Sequence, residues 1–359
     1  MLYTRSIIIL VKKHIMRLFV HLFAVIVLVS CNNKCIIDTD YAMPNFERTY
    51  TAEVKTIKSG YLYEPILAMY LWKDYLIVKA KSAENKFEFQ VLSKNDGSQI
   101  TGFGFIGRGE NELTLFNNIG FNPQSGYISA IDFNGKFALY NVDKIINSKN
   151  PNPEKCYNMP TFPKGKVREL NGGLIHLESI PRIFMTDMTG QDTICVIRNV
   201  PSVSPEIDKD TIDHQMYYVH SSNWASRPDG KKLCNVTRNG MIMEIYDIDG
   251  RSITPIVLRY FFKPEMSHCR SGRAEDNCVW GTTKVSTTNK YIYCHYSDST
   301  RDVESNDYVA VFDWNGREKC RYKLPKRTYD FVVTPDDKRC YIWSHDVNGE
   351  ENLGYFDMN

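Results

Sequence analysis

The sequence predicts an all-β protein: a six-bladed β-propeller of four-stranded antiparallel blades, closed by a strand from the N-terminal side. Three observations carry this. Short alternating apolar runs rich in Tyr and Phe are separated by turn residues, with little sustained helical periodicity. The runs recur with a period near 53 residues. The last repeat ends one strand short.

The period is read from the turns. "SRPDGKKLCNVT" (residues 226–237) and "VTPDDKRCYIWS" (333–344) share a Pro-Asp turn, basic residues and an apolar strand. Their prolines, Pro228 and Pro335, lie 107 apart, and Pro123 in "GFNPQSGYISAI" lies 105 before Pro228. Midway between the later two stands "STTNKYIYCHY", with the same turn-then-strand order, so the unit is half the proline spacing.

Second strands then begin near Tyr75, Tyr127, Leu174, Leu233, Tyr291 and Tyr341, at intervals of 52, 47, 59, 58 and 50 residues. Third strands follow: "FEFQVLS", "FALYNVD", "RIFMTDM", "MIMEIYD", "YVAVFDW" and "NLGYFDM". Several of these turn through Asn-Asp-Gly, Thr-Gly, Asp-Gly or Asn-Gly into a fourth strand, as in "REKCRYKL" after Asn315-Gly316. Such dipeptides supply the positive φ that tight hairpins require. A four-stranded unit of about fifty residues is a propeller blade. The sixth unit stops at its third strand, so its fourth is expected within "RTYTAEVKTI" (48–57), which removes an exposed sheet edge. A pair of β-sandwiches is the competing architecture. Six units in one phase and a missing last strand favour the ring, with seven blades as the nearest alternative count.

The N-terminus reads as an export signal. Arg17 precedes an apolar stretch from Leu18 to Val29, and Leu28-Val29-Ser30-Cys31 fits a bacterial lipobox, whose cysteine sulfur receives diacylglycerol. A single transmembrane anchor is the alternative. The run is short for a span of about 30 Å, and polar "CNNK" ends it at once. Residues 1–30 are therefore expected as signal peptide, with Met16 a possible true start, residues 31–48 as a lipidated tether, and 49–359 as the propeller. The expected membrane contact is the lipid on Cys31, and the expected location is the cell envelope, as an outer-membrane lipoprotein facing periplasm or surface.

Charge is balanced at +2 over 359 residues, and all four basic residues of the signal segment are uncompensated by acids. No basic excess is left for nucleic acid, and none is expected as a partner. Ten cysteines include Cys31; the other nine are scattered, without C-x-x-C. Cys269 and Cys278 share a polar loop and form the best local pair, although connectivity is not readable from spacing. His, Cys and acids show no metal-ligand clustering, so neither metal nor cofactor is expected.

"TGFGFIGRGENEL" (101–113) contains Gly102, Gly104 and Gly107 in a G-x-G-x-x-G pattern. A dinucleotide loop must follow a parallel strand and open a helix. Here the glycines lie in and after a hairpin strand, so the nucleotide reading fails. "GRGENEL" resembles instead the G-R-G-P-x-E-aromatic signature after the first blade of the TolB-like six-bladed propeller lipoproteins of Bacteroidetes. Gly107, Arg108, Gly109 and Glu112 match; Glu110 replaces the proline and Leu113 the aromatic. With the lipobox, the blade count and the ending, the likeness spans nearly the whole mature chain. It implies a lipid-anchored envelope propeller and no settled activity. Arg108 is expected to fork onto carbonyls or Glu112 and fasten the crossing between blades one and two; an exposed ligand-binding Arg is the alternative.

Five residues before each turn proline stands a short polar side chain: Asn118, Asn223 and Asp330, in blades two, four and six. They fall near the start of the innermost strand. They are candidate channel-lining residues that form an alternate-blade polar ring, or else cap neighbouring backbone N–H groups. "DIDG" (247–250) imitates the opening of a calcium loop but lacks its downstream Glu and occupies a hairpin. "IDHQMYYVHSSNW" (212–224) could line a sugar or peptide face, and the polar insertions 263–278 and 297–307 suit one rim. No G-x-S-x-G or readable triad appears, and no catalytic residue is assigned. The leading expectation is a non-enzymatic module that binds a protein, peptide or glycan. The alternative is a propeller hydrolase or lyase acting on polysaccharide through paired carboxylates.

Overall fold

The computed structural model describes residues 36–59, 68–79, 87–114, 116–132, 134–159, 166–177, 183–197, 220–264, 279–297, 306–325, 328–345 and 350–359. The signal segment, Cys31, Cys269, Cys278 and most of the two polar insertions lie outside these residues, as do 212–219 of the aromatic segment.

Six sheets of consecutive antiparallel strands form the ring. Blade 1 comprises Ala68–Trp72, Tyr75–Lys79, Phe87–Ser93 and Gln99–Phe105. Blade 2 comprises Asn117–Asn122, Tyr127–Ile131, Lys136–Asn141 and Lys155–Asn158. Blade 3 comprises Lys166–Leu170, Gly173–Leu177, Ile183–Thr186 and Thr193–Ile197. Blade 4 comprises Ser222–Ser226, Lys232–Thr237, Met241–Asp249 and Ser252–Phe262. Blade 5 comprises Trp280–Thr287, Tyr291–Ser297, Asp307–Asp313 and Glu318–Lys323. Blade 6 comprises Thr328–Val333, Arg339–His345 and Glu351–Asp357, then takes Lys55–Ser59 as its outer strand. The predicted count, phase and closure are thus observed. The turn glycines Gly97, Gly190, Gly250 and Gly316 all take positive φ.

Alternating strands bury one face against each neighbouring blade, so the core is divided into inter-blade layers rather than one centre. Met69, Leu76, Val78 and Leu92 of blade 1 pack on Tyr341, Trp343 and Leu353 of blade 6. Phe89 and Phe103 of blade 1 meet Ile128, Ala138 and Tyr140 of blade 2.

Three features differ from the sequence reading. The stretch 48–57 is divided between two blades: Lys55–Ser59 closes blade 6, whereas Thr49–Thr51 pairs in parallel with the outer strand of blade 5. The expected tether, 31–48, is fastened from Ile37 onward, where the chain joins the outer edge of blade 4. The Asp38 carboxylate pairs with Arg259 at 2.7 Å, the Ala42 N–H donates to the Tyr260 carbonyl, and Tyr41 meets Tyr260 edge-on. Outer blade strands present unpaired backbone groups, and this segment covers them. Blade 2 also inserts a helix, Val142–Ser148, before its fourth strand. The Asn141 side chain caps it by accepting the Lys144 N–H, and Asp143 in its first turn accepts from the Trp72 indole of blade 1 at 2.8 Å.

Candidate functional site

The inner strands of all six blades border a central cavity of about 610 Å³. Its wall is built from one or more side chains per blade, and its charged groups are arranged asymmetrically.

Blade 1 contributes Tyr70 and Trp72, which pack on Phe121 of blade 2 with ring centroids 5.3 and 6.2 Å apart. Blade 5 contributes Lys284, whose Nζ lies 4.6 Å from the Tyr70 ring centre. The same ammonium donates to the Met69 carbonyl at 2.9 Å and pairs with Asp330 of blade 6 at 3.1 Å. Asp330 Oδ2 also accepts the Met69 N–H at 2.6 Å, and Oδ1 accepts the Phe331 N–H at 2.7 Å. Blades 5, 6 and 1 are therefore joined by one buried polar knot.

Blade 3 contributes Arg168. Its stem crosses the inner strand of blade 2 at Gly120, where a Cβ would lie 2.2 Å from the Arg168 Cγ. Only a residue without a side chain leaves that passage open. The guanidinium lies over the Trp224 ring of blade 4, 4.4 Å from its centre. Among the described residues it makes no hydrogen bond and no ion pair, and its Nε is buried without a partner.

The other cations on the wall are neutralised: Lys73 pairs with Asp143 at 2.7 Å and Lys79 with Glu88 at 3.0 Å. The remaining set is Arg168, Lys284 and Asp330. Burial pushes Lys284 below the usual lysine range; Asp330 opposes this and Arg168 adds to it. Burial also lowers Arg168, though an arginine keeps its charge. Burial raises the Tyr70 phenol to about 12, against the nearby Arg168 charge.

Of the polar side chains singled out in sequence, Asn223 and Asp330 reach the cavity wall. Asn118 stands on the inner strand of blade 2, and its side chain is not among those described. Asn223 Nδ2 donates to the Thr282 carbonyl of blade 5 at 2.7 Å. Both Asn223 and Asp330 thus bind backbone of a neighbouring blade. Arg168, Lys284 and Tyr70 escaped the sequence reading. One signal was present for Lys284: it stands five residues before Asn289, the proline-free counterpart of the turn prolines.

The "GRGENEL" segment lies away from this cavity, at the crossing into blade 2. Glu112 accepts the Gly109 N–H at 2.8 Å, and Gly107 donates to the Leu113 carbonyl at 3.0 Å. Among the described residues Arg108 makes no such fork, and its side chain is exposed. Lys136 takes that place, donating to the carbonyls of Gly109, Glu110 and Glu112. The substitution is physically natural, because a flexible ammonium can reach three carbonyls converging from one side. Gly102 and Gly104 serve packing: a Cβ on either would lie within 3 Å of the Phe87 or Phe116 ring.

Residues 45–336 match the family described as TolB-like 6-blade propeller-like. Among solved structures, an exported protein of Bacteroides fragilis is similar at 12% identity and TM-score 0.52, over 87% of this chain and 98% of that one. A DUF4221 family member from Bacteroides vulgatus is similar at 10% identity and TM-score 0.54, over 90% and 98%. These likenesses show the fold. Comparison with curated proteins gives no match. A match over most of the chain, on a ring with the blade count of that family, leads to one conclusion: the chain belongs to the TolB-like six-bladed propeller family.

Proposed function

We propose that this protein is a lipid-anchored component of the bacterial cell envelope that binds a protein, peptide or glycan at its central cavity without turning it over. The observation that carries the binding role is the cavity itself. Every blade lends it a wall, aromatic rings line it, and cross-blade hydrogen bonds hold that wall in place. Such a preorganised, partly apolar concavity with few polar groups is what small-ligand recognition uses. The polysaccharide hydrolase reading needs two carboxyls about 5–9 Å apart. Among the described residues lining the cavity, Asp330 is the one acid, and it is committed to Lys284 and two backbone N–H groups. The envelope location is supported by the lipobox at Cys31 and by the exported Bacteroides fragilis protein of the same fold.

Two experiments test this. Growth with an alkyne fatty acid should label the wild-type chain and not Cys31→Ala; equal labelling rejects the anchor. The tagged lipoprotein, captured from detergent-solubilised envelopes, should retain a ligand that Tyr70→Ala loses. Retention unchanged by Tyr70→Ala, or turnover of a polysaccharide by the purified protein, rejects the binding role at this cavity.

A further inference from the structure

We infer that the central cavity is a receptor for a single carboxylate, with Arg168 as the group that takes it. The inference rests on the binding role above and specifies its ligand class.

Arg168 is held in a manner that leaves its donors unused. Its stem is threaded past Gly120 and its planar face rests on Trp224. A guanidinium packed by its face still presents its edge, where the N–H groups point, and that edge matches a carboxylate as a two-pronged fork. The buried, unpartnered Nε belongs to that edge. A half-buried cation with no counter-ion among the described residues is poorly solvated on its buried side, so a bound anion would relieve a cost that the free protein bears.

The charge count selects the class. With Lys73 and Lys79 neutralised, the described lining residues leave Arg168 and Lys284 against one carboxylate, Asp330, which is one positive charge in excess. A monocarboxylate balances that excess. A phosphate monoester, at about −1.5 to −2 near neutral pH, exceeds it and would press against Asp330. The Tyr70 and Phe121 rings beside the cations offer an apolar surface to the rest of the ligand. Acidic sugars and acyl amino acids both carry this chemistry at a size the cavity admits.

The test is calorimetric titration of the detergent-purified full-length lipoprotein. The probes are glucuronate, galacturonate and N-acetyl amino acids, each beside its own methyl ester, plus inorganic phosphate. A carboxylate is expected to bind, with its ester about 10–100-fold weaker, as loss of a charge-assisted hydrogen bond implies. Arg168→Gln should lose binding to the same extent, and Arg168→Lys should fall between. Which carboxylate binds separates sugar from amino-acid sources. Absence of binding by every carboxylate, equal binding of acid and ester, preference for phosphate, or unchanged binding by a folded Arg168→Gln overturns the inference. The ester comparison uses the wild-type chain alone, so it stands even if the variants misfold. Envelope ligand retained equally by wild type and Arg168→Gln, yet lost by Tyr70→Ala, rejects the carboxylate and leaves the binding role intact.

Discussion

Lys284 and Asp330 form an ion pair across blades 5 and 6 with Nζ and Oδ2 3.1 Å apart and side chains only 17% and 5% exposed. Because the same carboxylate accepts the Met69 N–H, the pair also clasps blade 1. Removing one partner of such a pair leaves the other charge buried and uncompensated. Asp330→Ala is expected to destabilise the fold by about 3–5 kcal/mol. The double variant Asp330→Asn with Lys284→Met should be more stable than Asp330→Ala. Urea unfolding midpoints measure both, and a loss under about 1 kcal/mol for Asp330→Ala would show that the clasp contributes little.

Ring closure has its own probe. Gly354 faces the closing strand so closely that a Cβ would lie 2.8 Å from the Val54 Cγ1 and 2.9 Å from the Lys55 carbonyl. Gly354→Val should push that strand off blade 6 and cost about 1–3 kcal/mol, as overpacking does. Limited proteolysis is expected to cut first on the N-terminal side of Lys55. Cleavage elsewhere, with wild-type stability, would show that closure there is not tight.

The blade-crossing segment distinguishes two cations. Lys136→Met removes one charged donor from three carbonyls and should cost about 1.5–3 kcal/mol. Arg108→Ala, at an exposed side chain, should stay within about 0.5 kcal/mol of wild type. Thermal melts of the two variants check this ordering, and the reverse ordering would restore the fastening role to Arg108.

Acid should weaken the fold through His176. This side chain is stacked on Phe184 with centroids 4.2 Å apart and bonded to Thr186 at 3.0 Å, and burial pushes it from 6.5 down to about 4. A depressed folded value means the unfolded chain binds the proton first. The stabilisation is complete above pH 6.5 and is lost as pH falls toward 4, by about 3 kcal/mol over that interval. His295, also lowered by burial, adds in the same direction. His176→Gln cannot charge and should show a shallower loss between pH 7 and 4.5 in urea titrations. Equal slopes would assign the acid sensitivity elsewhere.

Local chemistry accounts for what the sequence determined by itself. Period-two apolar runs specify strands, Asx-Gly and Pro-Asp turns specify hairpins, and their spacing specifies six blades, because each of these depends on residues a few positions apart. That the final repeat lacked a strand could be counted, so closure was legible as well. The division of 48–57 between two blades was not, since Thr49–Thr51 and Lys55–Ser59 are alike as strands and only the available edges separate them. The site was least legible. Asn223 and Asp330 announced themselves through a repeated offset, whereas Arg168 and Tyr70 share no offset with any counterpart. Tyr70, Phe121, Arg168, Trp224, Lys284 and Asp330 differ in kind from blade to blade, so no repeat marks them. Their meeting is a product of ring closure, which brings Lys284 against a residue 215 positions earlier and sets Arg168 on a cavity wall whose described residues include a single acid.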